Sequence, residues 1–288
     1  MSENRIKIIE CPRDAMQGLK EFIPTEVKAA YINQLLKVGF DTLDMGSFVS
    51  PKAIPQLRDT GDVIKKLDLN DTISKLLVIV ANKRGAEAAA AYDEIKYLGF
   101  PFSISATFQK RNINSTIEES LSRLEAVSET AYKHNKEVVT YFSMAFGNPY
   151  DDPWNAEIVA EWAHRLVEEY GVKILSMSDT IGSSSPETIK WIFSHLIPKF
   201  PDVEIGAHLH TTPDKWEEKI HASIQNNCKR FDSAIKGYGG CPMAKDDLTG
   251  NMPTEHLIEY LNQNNLSHGL DEEEFARSMH MALKIFPH

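Results

Sequence analysis

The residues most able to do chemistry in this 288-residue chain are two imidazoles one position apart, in Ala207-His208-Leu209-His210. Side chains of a strand alternate between faces, so both rings project to the same side, about 7 Å apart along it. From there both can converge on one divalent cation. His-x-His by itself also describes two histidines that merely pack. The preceding Val203-Glu204-Ile205-Gly206-Ala207 reads as a strand aiming the pair at one end of a sheet, which favours the ligand reading. Near the start, Ile8-Ile9-Glu10-Cys11-Pro12-Arg13-Asp14 sets a guanidinium and a carboxylate in a turn after a second apolar strand. The plainer reading of that pair is a solvated ion pair of little energetic weight. Asp14 as carboxylate and Asn251 as amide oxygen complete a set of two nitrogens and two oxygens. Hard oxygens with imidazole suit Mg²⁺ or Mn²⁺. Zinc is not excluded, although it more often recruits a thiolate.

A cysteine is delivered by Gly237-Tyr238-Gly239-Gly240-Cys241-Pro242. Glycines on its approach permit a mobile, exposed segment. A thiol near a dication or Arg13 has a lowered pKa and can serve as acid or base. Cys11, in the first strand, and Cys228, read as lying inside a helix, are expected to be packing residues. Asp44 in the second strand and Asp179 after the sixth are further candidates, with an Asx-turn as the plain alternative for Asp179. Tyr141 and Ser176, on strands five and six, are candidates to line the mouth of the site or to fill its interior. Lys52, Lys110 and Arg111 are candidate anion contacts at the rim, where such charges are more commonly just solvated.

The elements that must position these residues alternate from end to end. Strands are expected at Ile6–Cys11, Phe40–Gly46, Leu76–Ala81, Pro101–Thr107, Glu137–Met144, Val172–Ser178, Val203–His210 and Arg230–Lys236. Between them the spacing predicts helices at Thr25–Val38, near Asp59–Lys66, at Gly85–Leu98 with Gly99 as stop, and near Ser115–Asn135. More follow at Ala156–Tyr170, Pro186–Lys199 and Asp214–Asn227, and from Thr254. Thr25 reads as an N-cap, and Ser115-Thr116-Ile117-Glu118 as a capping box. Alternation of this kind means parallel strands with right-handed crossovers. Eight units in this length predict a (β/α)₈ TIM barrel, an α/β fold, as one domain over 1–288 with a helical tail from about 268. Its chemistry belongs at the carboxyl ends of the strands, where the candidate residues fall. A doubly wound open sheet is less favoured, because no glycine-rich phosphate turn follows the first strand.

Composition narrows the function. The net charge of −10 argues against non-specific binding to nucleic acid or an anionic membrane. Three cysteines, an odd and sparse number, fit a reducing cytoplasm rather than a disulfide framework. No apolar run is long enough to span a bilayer, and the N-terminus reads as neither secretory signal nor transit peptide.

Taken together, these motifs resemble the 3-hydroxy-3-methylglutaryl-CoA lyase family, within the metal-dependent barrel superfamily of Claisen-type lyases and synthases. The matching pieces are Pro12-Arg13-Asp14-x-x-Gln17, Ser47-Phe48-Val49-Ser50-Pro51-Lys52, Asn112-Ile113-Asn114 and Asp179-Thr180-Ile181-Gly182. His208-x-His210, Gly239-Gly240-Cys241-Pro242 and Gly250-Asn251 complete them. The resemblance implies retro-Claisen cleavage of an acyl-CoA substrate to acetyl-CoA and a keto acid, by an enzyme that is commonly a homodimer. It implies Asp14, His208, His210 and Asn251 as metal ligands, Arg13 on the enolate or carbonyl oxygen, and Cys241 in proton transfer. Asp44 and Asp179 would support the site, while Gln17, Asn112, Lys52, Tyr141 and Ser176 would face the substrate. The chain departs from the family pattern in places. Thr211 stands where the family has aspartate after the second histidine, Ala106 where it has glutamate, and Asp44 at its glutamate position. A closely related acyl-CoA therefore falls within the expectation, as does a condensing enzyme of the same superfamily or a barrel that only binds acyl-CoA.

Overall fold

A computed structural model describes residues 5–240 and 249–286. Eight strands pair in parallel in chain order: β1 (Lys7–Glu10), β2 (Thr42–Ser47), β3 (Lys75–Ile79), β4 (Ile95–Ser103), β5 (Glu137–Ser143), β6 (Ile174–Asp179), β7 (Glu204–Thr211) and β8 (Arg230–Ser233). β8 also pairs with β1, from Lys7 opposite Arg230 to Glu10 opposite Ser233, so the sheet closes into the expected barrel. β9 (Gly250–Asn251) runs antiparallel on the end of β7, with Asn251 opposite His210.

The helices form the outer layer. In chain order they are α1 (Pro12–Gln17), α2 (Thr25–Leu36), α3 (Thr60–Ile64), α4 (Lys83–Ala90), α5 (Ala106–Ile113), α6 (Ile117–Lys133), α7 (Ala156–Glu168), α8 (Pro186–Lys199), α9 (Trp216–Gln225), α10 (Thr254–Gln263) and α11 (Glu272–Ile285). The main core lies between helices and strands and includes Leu35, Phe100, Phe142, Leu166, Phe193 and Leu257. Each such side chain, fully buried, contributes roughly 1.5–3 kcal/mol. A second apolar cluster fills the barrel itself: Leu77, Ile79, Tyr97, Val139, Tyr141 and Ile174. All of it comes from β3 to β6. The remaining wall supplies buried polar groups instead, among them Asp44, His208, Arg230 and Asp232.

Several sequence expectations are corrected here. Gly99 does not stop a helix; α4 ends at Ala90, and Gly99 lies within β4. A Cβ there would stand 2.6 Å from Ile79 Cδ1 and 3.0 Å from Tyr141 Cε2, so the barrel interior requires a residue without one. The capping box sits one residue later than expected, with Thr116 and Glu119 exchanging bonds. Thr25 is the first helical residue rather than the cap, and its hydroxyl donates to Asp59 instead. Cys228 follows α9 rather than lying inside it, although it is buried as expected. The segment carrying Arg13 and Asp14 is the short helix α1, not an open turn, with Pro12 at a position where a missing N–H costs nothing. α5 was not anticipated at all.

Candidate metal centre

The site begins with α1. β1 stops at Glu10, and the chain coils at once into α1, whose Arg13 and Asp14 are buried over the carboxyl end of the barrel. Arg13 lies against Asp44 at the middle of β2. Its Nε donates to Oδ1 and Oδ2 at 3.2 and 3.0 Å, and its Nη2 donates to Oδ2 as well. Nη1 donates to Asp14 Oδ1 at 2.8 Å and to Gln17 Oε1 at 3.1 Å. Gln17 returns a bond from Nε2 to Asp14. A guanidinium has five N–H donors, so among the described residues one on Nη2 remains available.

β7 presents His208 and His210 on one face beside Asp14, their ring centroids 5.4 Å apart. Ligand atoms of Asp14, His208 and His210 all lie within 4.8 Å of one another, and all three residues are buried. Each imidazole is oriented by an acceptor at Nδ1: Asp232 Oδ2 at 3.2 Å for His208, and the Thr180 carbonyl at 3.0 Å for His210. Nε2 of His210 is buried and has no partner among the described residues. A buried polar atom normally has one, so this nitrogen fits a ligand role. Asn251 is carried in by β9. Its Nδ2 donates to Asp14 Oδ2 and to the Tyr238 carbonyl, both at 2.8 Å. Gly239, at φ +85°, lets the loop close over this corner; a Cβ there would meet the Asp14 carbonyl oxygen at 2.5 Å.

The electrostatics suit a cation. Burial pushes His210 down to about 4, helped by the neighbouring His208, so this ring is neutral. Burial also opposes charge on His208, but Asp232 outweighs it and raises that pKa. Burial would raise Asp14, yet Arg13 and the two imidazoles hold its carboxyl below the usual range. Burial takes Asp44 up to about 6 even with Arg13 beside it. A carboxylate and a side-chain amide, together with the two imidazoles, form a mixed oxygen and nitrogen donor set that fits a divalent cation such as Mg²⁺ or Mn²⁺.

The other candidates are placed as follows. Asp179 ends β6 with its carboxylate fully occupied, by Ser184 N and Oγ and by Lys219 Nζ at 2.8 Å. Lys219 also donates to the His210 carbonyl at 2.8 Å, so Asp179 supports the histidine strand from behind. Tyr141 belongs to the barrel's apolar filling and meets His208 edge-on, with centroids 5.6 Å apart. Ser176 donates its hydroxyl to Asp232 at 2.8 Å. Lys52 and Asn112 are exposed, in the segments that follow β2 and β4. Arg111 stacks on Tyr150, 4.8 Å from its ring centroid. Cys241 and the neighbouring Lys245-Asp246-Asp247 lie outside the described residues.

Sequence reasoning missed Asp232, Arg230 and Lys219. Each is a charged residue within an otherwise apolar strand or helix face, and that was the available signal: Arg230-Phe231-Asp232 in a strand call for partners inside the barrel.

The comparisons agree with this architecture. A family model described as HMGL-like matches residues 5–281. The cytoplasmic 3-hydroxy-3-methylglutaryl-CoA lyase of Rattus norvegicus is 35% identical over 269 residues, covering 92% of this chain and 77% of that protein. A hydroxymethylglutaryl-CoA lyase of Bacillus subtilis is 35% identical over 88% of this chain and 83% of its own length. The crystal structure of the HMG-CoA lyase from Brucella melitensis superposes with a TM-score of 0.90 at 31% identity, covering 98% of this chain and 99% of that one. That of an Acinetobacter baumannii HMG-CoA lyase, in complex with coenzyme A and 3-methylmalate, gives 0.89 at 26% identity over 99% and 92% of the two chains. This chain belongs to the HMGL-like family.

Proposed function

We propose that this protein is a divalent-metal-dependent carbon–carbon lyase. Its substrate would be 3-hydroxy-3-methylglutaryl-CoA or a close 3-hydroxyacyl-CoA analogue, cleaved to acetyl-CoA and, from the former, acetoacetate. The observation that carries this reading is the convergence of Asp14, His208 and His210 at the mouth of a barrel. Relatives named for the same reaction support it. Mg²⁺ or Mn²⁺ held by Asp14, His208, His210 and Asn251 would supply positive charge to offset the negative charge on the substrate's hydroxyl and carboxylate oxygens.

Everything else in the reaction falls to the chain's own residues. Cleavage leaves the enolate of acetyl-CoA, and Arg13 meets that charge with its remaining Nη2–H. Asp44 and Asp14 grip the guanidinium so that it needs no rearrangement as charge develops. A proton must leave the tertiary hydroxyl and another must reach the new carbanion. Cys241, at the end of the glycine-rich loop, is our candidate for that transfer. Lys52, Asn112 and Gln17 are carried forward as substrate contacts around the mouth. A relative in complex with coenzyme A supports an acyl-CoA ligand. We also propose a cytoplasmic homodimer, with sedimentation as its check. No described helix is long and apolar enough to cross a membrane.

The test is product analysis with purified protein, 3-hydroxy-3-methylglutaryl-CoA and added Mg²⁺ or Mn²⁺. Acetoacetate and acetyl-CoA should form, and chelation should abolish both. Turnover that ignores chelation, or none with any 3-hydroxyacyl-CoA, would refute the proposal.

A further inference from the structure

We propose that Asp232 is a positioning residue of the metal centre, selecting through His208 the nitrogen that faces the ion, with Ser176 and Arg230 holding it in place. This rests on the metal-centre reading above and extends it to residues that touch neither ion nor substrate.

Asp232 lies on β8 directly across from His208 on β7 in the parallel register. It is buried, and its Oδ2 takes two neighbours, His208 Nδ1 at 3.2 Å and Ser176 Oγ at 2.8 Å. An ionised carboxylate only accepts hydrogen bonds. Nδ1 of His208 must therefore carry the hydrogen, which leaves the Nε2 lone pair for the ion. His210 obeys the same rule by a cheaper device, since its Nδ1 faces the Thr180 carbonyl, another acceptor-only group. Both rings are thus set in one tautomer by groups that cannot donate.

Holding an ionised aspartate inside a barrel requires a counter-charge, and the interior provides one that is not a ligand. Arg230 enters from the opposite end of β8 and is 1% exposed. Its Nε stands 4.0 Å from Asp232 Oδ1, and its Nη1 donates to Glu204 Oε1 at 3.0 Å. Gly206 on β7 makes the room: a Cβ there would meet Arg230 Cδ at 2.7 Å. Glu204, Arg230 and Asp232 so form a line of alternating charge that runs from one end of the barrel to His208 at the metal centre. The lost apolar filling on this wall makes way for that line.

The test is Mn²⁺ binding to the metal-free, full-length protein, measured by titration calorimetry for wild type, His210→Ala and Asp232→Asn. In Asp232→Asn the amide oxygen is drawn to Arg230 and the NH₂ turns to His208. Nδ1 must then accept, and the hydrogen moves to the ligand nitrogen. Affinity should fall 10–100-fold, with an unchanged circular dichroism spectrum. Wild type that binds no Mn²⁺ overturns the metal centre and this proposal with it. Wild type that binds, His210→Ala that does not, and Asp232→Asn that binds as tightly as wild type overturn this proposal alone. A second measurement needs no folded variant. Histidine ¹⁵N spectra of metal-free wild type at alkaline pH should show His208 as the Nδ1–H tautomer, and an Nε2–H tautomer there overturns the proposal.

Discussion

At the scale of single residues, the site depends on charges that are spoken for before any substrate arrives. Arg13 illustrates it: three of its nitrogens grip Asp44, Asp14 and Gln17. Lysine cannot reproduce that planar fork. Arg13→Lys should lower kcat by about two to three orders of magnitude, the loss expected for one pre-oriented donor, while Mn²⁺ binding measured by calorimetry is retained. A rate near wild type would remove Arg13 from the reaction. Lys219 makes the matching case for stability. It and Asp179 are both fully buried, and the ammonium also satisfies the His210 and Gly182 carbonyls. Lys219→Met leaves Asp179 with its Ser184 bonds but without its counter-charge, at a cost of about 3–5 kcal/mol, read as a lower urea midpoint. Adding Asp179→Asn should recover part of that loss, since no buried charge then remains. The convergence of the candidate triad was legible in the sequence, because His-x-His on a strand fixes a common face. Their supporting partners were not. Asp232 stands on the next strand and comes alongside His208 only through the barrel's register, while Lys219 reaches the His210 carbonyl from α9 behind the sheet.

At the scale of elements, the alternation of strand and helix was readable because apolar runs of four to eight residues and amphipathic helices have different periods. What escaped was local competition at element ends. Gly99 resembles a helix stop, yet it stands in β4 because the barrel interior leaves no space for a side chain. Ser115 and Thr116 are equivalent cap candidates by type, and tertiary contact decided between them: Ser115 is buried and its hydroxyl accepts from Gln109 Nε2. Thr116 is left to cap α6, exchanging bonds with Glu119. Thr116→Ala should therefore cost about 1 kcal/mol, and so should Glu119→Ala by a smaller amount. In the double variant the two losses should be less than additive, because they share one box. Chemical denaturation of the three variants checks this, and strict additivity would show that the box does not act as a unit. α5 escaped because its cap, Ser105, is held by Asp152 from a distant loop. No signal within the helix announces that bond.

At the scale of the whole molecule, closure of the barrel is recorded in one carboxylate. Glu10 ends β1, 1% exposed, and reaches both stems of the loop that runs from β8 to α10. Its Oε1 accepts from Ile235 N at 2.9 Å and its Oε2 from Thr254 Oγ1 at 2.6 Å, across more than two hundred residues of chain. Burial is the dominant influence on it and raises its pKa from 4.5 to about 8, against the opposing effect of its two hydrogen bonds. The folded state therefore holds a proton that the unfolded chain releases above its own carboxylate pKa. Where the native state binds more protons, stability falls as pH rises. Glu10 thus favours folding fully below the unfolded value, and that advantage fades as pH climbs through the folded one. A shift of this size is worth on the order of 5 kcal/mol, spread between about pH 5 and pH 8. Glu10→Gln keeps an acceptor for one stem and removes the ionisation. Its urea midpoint should change less than that of wild type between about pH 5 and pH 9, so that the variant gains on wild type at the alkaline end. Asp14 and Asp232, whose carboxyls lie below the usual range, act oppositely and weaken the fold toward acid in both proteins alike. Parallel wild-type and variant curves on the alkaline side would mean that Glu10 is ionised in the folded barrel, its burial offset by Ile235 and Thr254.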